Sequence, residues 1–524
     1  MPKKQRWFWL AALVAAWCFD FLFWNKSANL SYFIWVVVLL GAGYLLAWHE
    51  GKHPHWRSIL LTVLIVAFAS VMVLRSEEMT RVVSVLLSLA GMILLAATFL
   101  DGHWPWFRLR DYVVEFTKVI GSGFSGAALL AAQKKNAVSL DGAHSKSRWS
   151  RVWPILRGIL IALPVVAVFA VLLSAADQVF ADWIKNIFNL EEIPEYLFRL
   201  FYILIIAGFL VGVYLKAIHP AKEAQKPSPN TPWMKTFLGW TESGIVLAAV
   251  NLLFIVFVVI QVRYLFGGTV NINETGYTYA EYARKGFSEL VAVAVLSIGL
   301  YMLLTTITRV ETRFAKTGLT ALSVLLMANV LVILASSLQR LMLYEQAYGF
   351  SRLRTYTHLF IYWLAALILT LVVLELLKRR GHTALALVIA AIGFGASLAI
   401  LNVDGFIVNR NVQRAADGEE LDLAYLNTLS TDAVPELLAN YSDPDLPPEA
   451  VHKLGAALAC REETTNDPSA QPWQSFNFSQ SRAYRLLQEN ADQWSQFDPY
   501  LKNNEWWIAM DGGEISCNTY DYMD

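Results

Sequence analysis

Eleven stretches of 17 to 24 mostly apolar residues recur along the chain, and they constrain its fold more than any other feature. They lie at Trp7–Trp24, Ser31–Trp48, Ser58–Leu74, Val82–Leu100, Val152–Ala175, Leu197–Lys216, Ser243–Phe266, Ser288–Thr306, Leu319–Leu338, Thr355–Leu377 and Thr383–Leu401. A helix of about 20 residues crosses a hydrocarbon core of about 30 Å at 1.5 Å per residue. Lipid offers backbone groups no hydrogen-bond partner, so such segments are helices rather than open strands. The expected class is therefore all-α, a polytopic bundle of about 11 transmembrane helices over residues 1–401. A small, acidic, mostly helical soluble domain follows over 402–524. The composition agrees: 16% of residues are charged, against roughly 25% in soluble proteins.

The formal net charge of zero conceals a division. Residues 402–524 hold 7 Lys/Arg against 21 Asp/Glu, and the excess is reversed in residues 1–401. Lys3, Lys4 and Arg6 precede the first run as in a signal peptide. No clean small-x-small cleavage site follows, so an uncleaved first span is expected. With the amino terminus inside, the inner segments carry 22 Lys/Arg and the outer loops 9. The positive-inside rule then places the amino terminus in the cytoplasm, and eleven crossings place the tail outside. Cys460 and Cys517 both fall in that tail. In an oxidising compartment they can form a disulfide, and two unpaired thiols are the alternative.

The longest inner segment, 101–151, carries Tyr112, Val113, Phe116, Val119 and Ile120 at near-helical spacing beside Arg108, Arg110 and Lys118. That pattern suits an amphipathic helix on the inner leaflet or a helix packed on neighbouring spans. Lys134–Arg151 reads as a flexible connection, and Ala221–Pro232, with its prolines, as an irregular loop. In the tail, Pro448–Leu458 and Ser479–Gln488 have helical periodicity. Trp473, Trp494, Trp506 and Trp507 are candidate core, and the end after Gly513 is expected to fray.

Catalytic signatures are missing: there is no GxxxxGK[ST], HExxH, CxxC or G-x-S-x-G. His49, His53 and His55 cluster at an inner boundary, but Pro54 breaks the helix, and an interfacial polar turn reads better than a metal site. No metal or cofactor is expected. The basic residues are spread over short inner loops, so no nucleic-acid partner is expected either. Asp20 near the outer end of span one and Glu375 near the inner end of span ten suit snorkelling or local pairing, Glu375 with Lys378 or Arg379. Asn251 and Asn329 are the polar residues near the midplane, where helix-to-helix bonding is the usual role.

The outer ends of the later spans are richer. Asp177 follows span five, Arg263 closes span seven, and Tyr279, Glu281, Tyr282 and Arg284 precede span eight. Span nine runs into Arg340 and Glu345, Arg352 and Arg354 open span ten, and Asp404 follows span eleven. Glu281 and Arg284 are i, i+3 neighbours on a helix. Arginine presents a fork suited to carboxylate or phosphate, so a lipid headgroup or small anion is the natural ligand of this cluster. Pinning of helix ends by Glu–Arg pairs is the competing reading.

The runs TYAEYARKGF, YEQAYGFSRLRTY, SAADQVFADW, LDLAYLNTLSTDAVPELL and PWQSFNFSQSRA resemble bacterial membrane proteins of the domain of unknown function 4153/4173 family, over roughly residues 155 to 485. The resemblance implies a multi-pass protein of a bacterial plasma membrane and carries over no catalytic or binding residue. The favoured expectation is a non-enzymatic envelope protein that binds, senses or moves a small anionic or lipid-like ligand at its outer face. A membrane transferase acting on a lipid-linked substrate is the alternative, and its usual large first outer loop is here only Asn25–Leu30. A secondary transporter is the third reading, although no internal repeat stands out.

Overall fold

The computed structural model describes residues 5–140, 173, 193–220, 236–266, 287–510 and 513–517. The span at Val152–Ala175, apart from Leu173, and the loop at Ala221–Pro232 lie outside these residues. Among the described residues, ten helices are long and apolar enough to cross a bilayer. They are α1 (Gln5–Phe23), α2 (Leu30–His49), α3 (Trp56–Leu74), α4 (Glu78–Thr98), α6 (Ile193–Ile218), α7 (Trp240–Phe266), α8 (Phe287–Ile307), α9 (Arg313–Tyr348), α10 (Arg352–Leu376) and α11 (Thr383–Leu401). Large apolar side chains such as Leu252, Leu253 and Val259 on α7 are exposed, which is costly in water and natural against acyl chains.

Between α4 and α6 lies α5 (Leu109–Leu140). Its helix carries on through Lys134 to Leu140, where the sequence suggested a flexible connection. The run Ala127-Ala128-Leu129-Leu130-Ala131-Ala132-Gln133 is composed of strong helix formers and carries the helix into the basic stretch.

The chain divides into two compact units, residues 1–24, 38–54 and 117–221 in one, and 25–37, 55–116 and 222–524 in the other. In the first, α1 packs on α6. The second half of α5 meets α6 where a Cβ on Gly126 would lie 2.3 Å from the Gly212 Cα. Only paired glycines let two helix backbones approach so closely.

In the second unit α3 packs on α4, α9 on α7, α8 and α10, and α11 on α10 and α4. The final span passes into the tail through one residue. Asn402 adopts a left-handed conformation (φ 50°), and its side-chain oxygen accepts the Gly405 N–H at 3.3 Å. The first tail helix, α12 (Val403–Ala416), starts immediately beyond it. The tail continues with α13 (Leu423–Thr428), α14 (Val434–Tyr441), α15 (Pro448–Thr464) and α16 (Phe478–Asn490). Ile407, Leu426, Leu437, Leu454, Leu487 and Trp494 bury their side chains together in its core.

The end of the tail departs from the expected frayed helical domain. Residues β1 (Tyr500–Lys502), β2 (Glu505–Met510) and β3 (Gly513–Ser516) form an antiparallel sheet in the order β1-β2-β3. Asn503 and Asn504, both at positive φ, turn Lys502 back onto Glu505, the two-residue hairpin geometry that matches strand twist. A disulfide joins Cys460 on α15 to Cys517 just after β3 and ties this sheet to the helical core.

Candidate functional site

Polar groups concentrate where the tail meets the ends of α3, α4, α10 and α11. The turn before α10 depends on Gly349 at φ +78°. It is fixed from the tail by Asn411, whose amide accepts the Phe350 N–H at 2.7 Å and donates to the Phe350 carbonyl at 2.9 Å. This turn sets Arg352 at the start of α10. Its Nε and Nη2 donate to the two carboxylate oxygens of Asp404 at 2.7 and 2.6 Å. Asp404 lies in the first turn of α12, fully buried, where a carboxylate also favours the helix dipole. It accepts a further bond from the Ser430 N–H at 2.6 Å, while the Arg352 N–H donates to the Tyr425 hydroxyl at 2.7 Å.

One turn along α10, the Tyr356 hydroxyl donates to Glu77. Glu77 caps α4, accepting the Met79 and Thr80 N–H groups at 2.8 and 2.7 Å. The N–H groups of Ser76 and Glu77 donate in turn to Asp432 Oδ2 at 2.8 and 2.9 Å. Three buried acids, Glu77, Asp404 and Asp432, are thus interleaved between span ends and tail, and each is hydrogen-bonded, as burial requires.

Two of these acids are pulled in opposite directions. Burial pushes the Asp404 carboxyl up, but Arg352 and the Ser430 contacts outweigh it and hold it below the ordinary aspartate range. Burial also pushes Asp432 up, and the charge of Asp404 adds to the effect. The Ser479 hydroxyl and the two backbone N–H groups offset it only in part, so Asp432 titrates above the ordinary range. Burial raises the Tyr425 phenol to about 12, keeping it a neutral hydrogen-bonding group.

Among the described residues, the sequence-selected cluster divides between this layer and neighbouring span ends. Arg352 and Asp404 meet directly. Glu345, buried on α9, lies 3.0 Å from His358 Nδ1. Arg354 stacks over the Tyr344 ring with its guanidinium carbon 4.0 Å from the centroid, and donates to the Tyr348 and Gly349 carbonyls. Arg340 donates to Gln261 at 3.0 Å, and Ser336 shares that acceptor. Asp177, Tyr279, Glu281, Tyr282 and Arg284 lie outside the described residues, as does the side chain of Arg263.

Sequence reading passed over Glu77, Tyr356, Ser430 and Asp432, which complete the layer. Their signal was a capping acid ahead of a span, Ser76-Glu77-Glu78, and the Ser430-Thr431-Asp432 turn. The two intramembrane acids have fuller partners than local pairing suggested. Asp20 receives Arg199 of α6 through both oxygens at 2.9 and 2.6 Å and also the Tyr202 hydroxyl. Glu375 binds Arg380 rather than Lys378 or Arg379, with Tyr301 at 2.9 Å and Thr320 at 2.8 Å from neighbouring helices. Asn329 donates to Asn251 at 3.1 Å, and Asn251 donates to the Leu322 carbonyl at 3.0 Å, so both asparagines bond helix to helix. His55, from the histidine cluster, caps α3 by accepting the Arg57 N–H at 3.2 Å.

Among the described residues, ten apolar helices with a polar layer at their ends mark a multi-pass integral membrane protein. The chain belongs to the family described as Domain of unknown function (DUF4153), whose family model matches residues 61–440. The match starts earlier than the motif resemblance did, at α3, and contains the whole Arg352–Asp404–Glu77–Asp432 layer. No curated protein and no solved structure matches the chain.

Proposed function

We propose that this is a non-enzymatic protein of a bacterial plasma membrane, with its amino terminus in the cytoplasm and its tail outside. It senses a small anionic or lipid-like ligand at the outer face. The observation that carries the reading is the Arg352–Asp404 clamp: a span residue holds the tail through a bidentate pair. An anion that competes for the Arg352 guanidinium releases Asp404, so binding and movement of the tail become one event. The excess of Lys/Arg in the inner segments supports this orientation, as does the disulfide in the tail, a bond favoured in oxidising compartments. The other charged and tyrosine residues that the sequence places at the outer span ends, Asp177, Arg263, Tyr279, Glu281, Tyr282, Arg284, Arg340, Glu345 and Arg354, are further candidates for ligand contact.

Two measurements test the reading. Protease added to intact spheroplasts removes a carboxy-terminal tag if the tail is outside; survival of the tag until lysis refutes the orientation. Purified full-length protein is then titrated with inorganic phosphate or with phosphatidylglycerol while tryptic cleavage of the tail is followed. Faster cleavage in the wild type, lost in Arg352→Lys, is expected. Unchanged cleavage with both probes refutes the sensing role.

A further inference from the structure

In the tail segment Trp473–Ser479 the usual order of burial is inverted. Trp473, Phe476 and Phe478 are 55%, 42% and 48% exposed, whereas Gln474, Ser475, Asn477 and Ser479 between them are buried. A segment facing water does the reverse, because exposing three large aromatics while desolvating four polar side chains loses on both counts. The segment is attached to the ends of two membrane spans through its backbone carbonyls and the Asn477 side chain, which fixes which side faces inward. Asn29 Nδ2 donates to the Ser475 carbonyl at 2.8 Å, the Ser31 hydroxyl to the Gln474 carbonyl at 2.9 Å, and the Leu30 N–H to the Phe476 carbonyl at 3.2 Å, all at the first turn of α2. Asn477 Nδ2 donates to the Met72 and Arg75 carbonyls at 3.2 and 2.9 Å, at the last turn of α3. The aromatics are therefore held at the level where two spans leave the hydrocarbon.

A second observation concerns charge. Phe478, Arg482 and Arg485 occupy positions i, i+4 and i+7 of α16, and all three are exposed, so they share one helix face. The tail has only 7 Lys/Arg among 21 Asp/Glu. Lys453 and Lys502 pair with glutamates, and Arg461 is buried on backbone carbonyls. Among the described residues Arg482 and Arg485 form no ion pair. In an acidic domain, two arginines without an ion pair among the described residues thus stand in line with an exposed aromatic at the bilayer boundary.

We propose that Trp473, Phe476, Phe478, Arg482 and Arg485 form an interfacial anchor that seats in the headgroup region and binds anionic phospholipid. Aromatic rings are at home at the water–lipid boundary, and each arginine near an anionic surface contributes about a fivefold preference for it. The anchor rests on the membrane crossing of α2 and α3 and not on which side the tail faces. Its failure is therefore separate from failure of the sensing function.

The test is site-directed spin labelling of the full-length protein, carrying Cys18→Ser, in nanodiscs. A nitroxide at Phe476→Cys is compared with one at Leu501→Cys, an exposed position on β1. The expected result is a several-fold lower collision rate with a water-soluble nickel complex at 476 than at 501, and a higher one with oxygen. Phosphatidylglycerol should deepen the 476 label relative to phosphatidylcholine, and Arg482→Gln with Arg485→Gln should remove that difference. Equal aqueous accessibility at 476 and 501 overturns the anchor. Dipolar broadening between labels at 476, which indicates a second copy on this surface, overturns it equally. A deep label indifferent to headgroup charge overturns the anionic preference.

Discussion

Two of the bidentate arginine–carboxylate clamps among the described residues have nearly identical geometry and do different work. In one unit Arg199 holds Asp20, joining α6 to α1, and a further donor, Tyr202, comes from the same pair of helices. In the other Arg352 holds Asp404, and the remaining donor is a backbone N–H of the tail, Ser430. The first clamp staples two spans. The second recruits a loop far along the chain, so it couples the membrane region to the soluble one. The chemistry of a buried ion pair is the same in both, and its role is set by where its spare hydrogen-bonding capacity goes.

Removing one partner separates the two roles most sharply. Asp404→Ala leaves the Arg352 guanidinium without its carboxylate, a defect that costs about 3–5 kcal/mol for a buried pair. We expect a lower melting temperature in detergent together with rapid tryptic cleavage of the tail. Asp20→Ala should lower stability while leaving the tail resistant; equal tail cleavage in both variants breaks the distinction. Replacing Cys460 and Cys517 by serine should cost about 2–4 kcal/mol. That loss should be confined to the tail, as hydrogen exchange over residues 450–517 would report.

Acid titration sharpens the comparison within the second unit. Asp404 is held below its ordinary value, so its contribution is complete above that value and is lost as pH falls through the folded one. Asp432 is raised, so its ionised form opposes folding at neutral pH, and stability recovers as pH falls through the raised value toward the ordinary one. Asp432→Asn should therefore flatten the mildly acidic part of the stability profile, and Asp404→Asn the strongly acidic part. Thermal melts from pH 7 to 3 check both, and the opposite assignment refutes the account. The smallest effect belongs to Asn329→Leu, about 0.6 kcal/mol for one intramembrane hydrogen bond. A larger loss, or loss of an activity, would reopen a transport role for the midplane.

The spans were legible because burial in lipid demands an unbroken apolar run, and ten such runs fold as helices at the places the sequence marks. The polar layer was half legible. Arg352 and Asp404 stand out as charges at span ends, but Glu77 and Asp432 are separated by more than 350 residues, and nothing local announces that the Asp432 carboxylate meets the Ser76 and Glu77 amides. Short strands were missed for a different reason. The Asn503-Asn504 turn was present as a hairpin signal, but neighbouring tryptophans were assigned to a helical core. Trp494 does fill that core, whereas Trp473 faces outward.

The single left-handed residue at Asn402 has a mechanical consequence. Between the end of α11 and the start of α12 there is no linker to absorb motion, so the two helices act as the arms of a bent lever. With 14 residues, α12 is about 21 Å long, and a reorientation of α11 by about 10° would carry its far end some 3–4 Å. At Asn411, about 12 Å along α12, the shift is about 2 Å, which stretches its 2.7 and 2.9 Å bonds to the Phe350 backbone beyond hydrogen-bonding reach. A small torque on the last membrane helix is thus enough to part the tail from the turn that precedes α10.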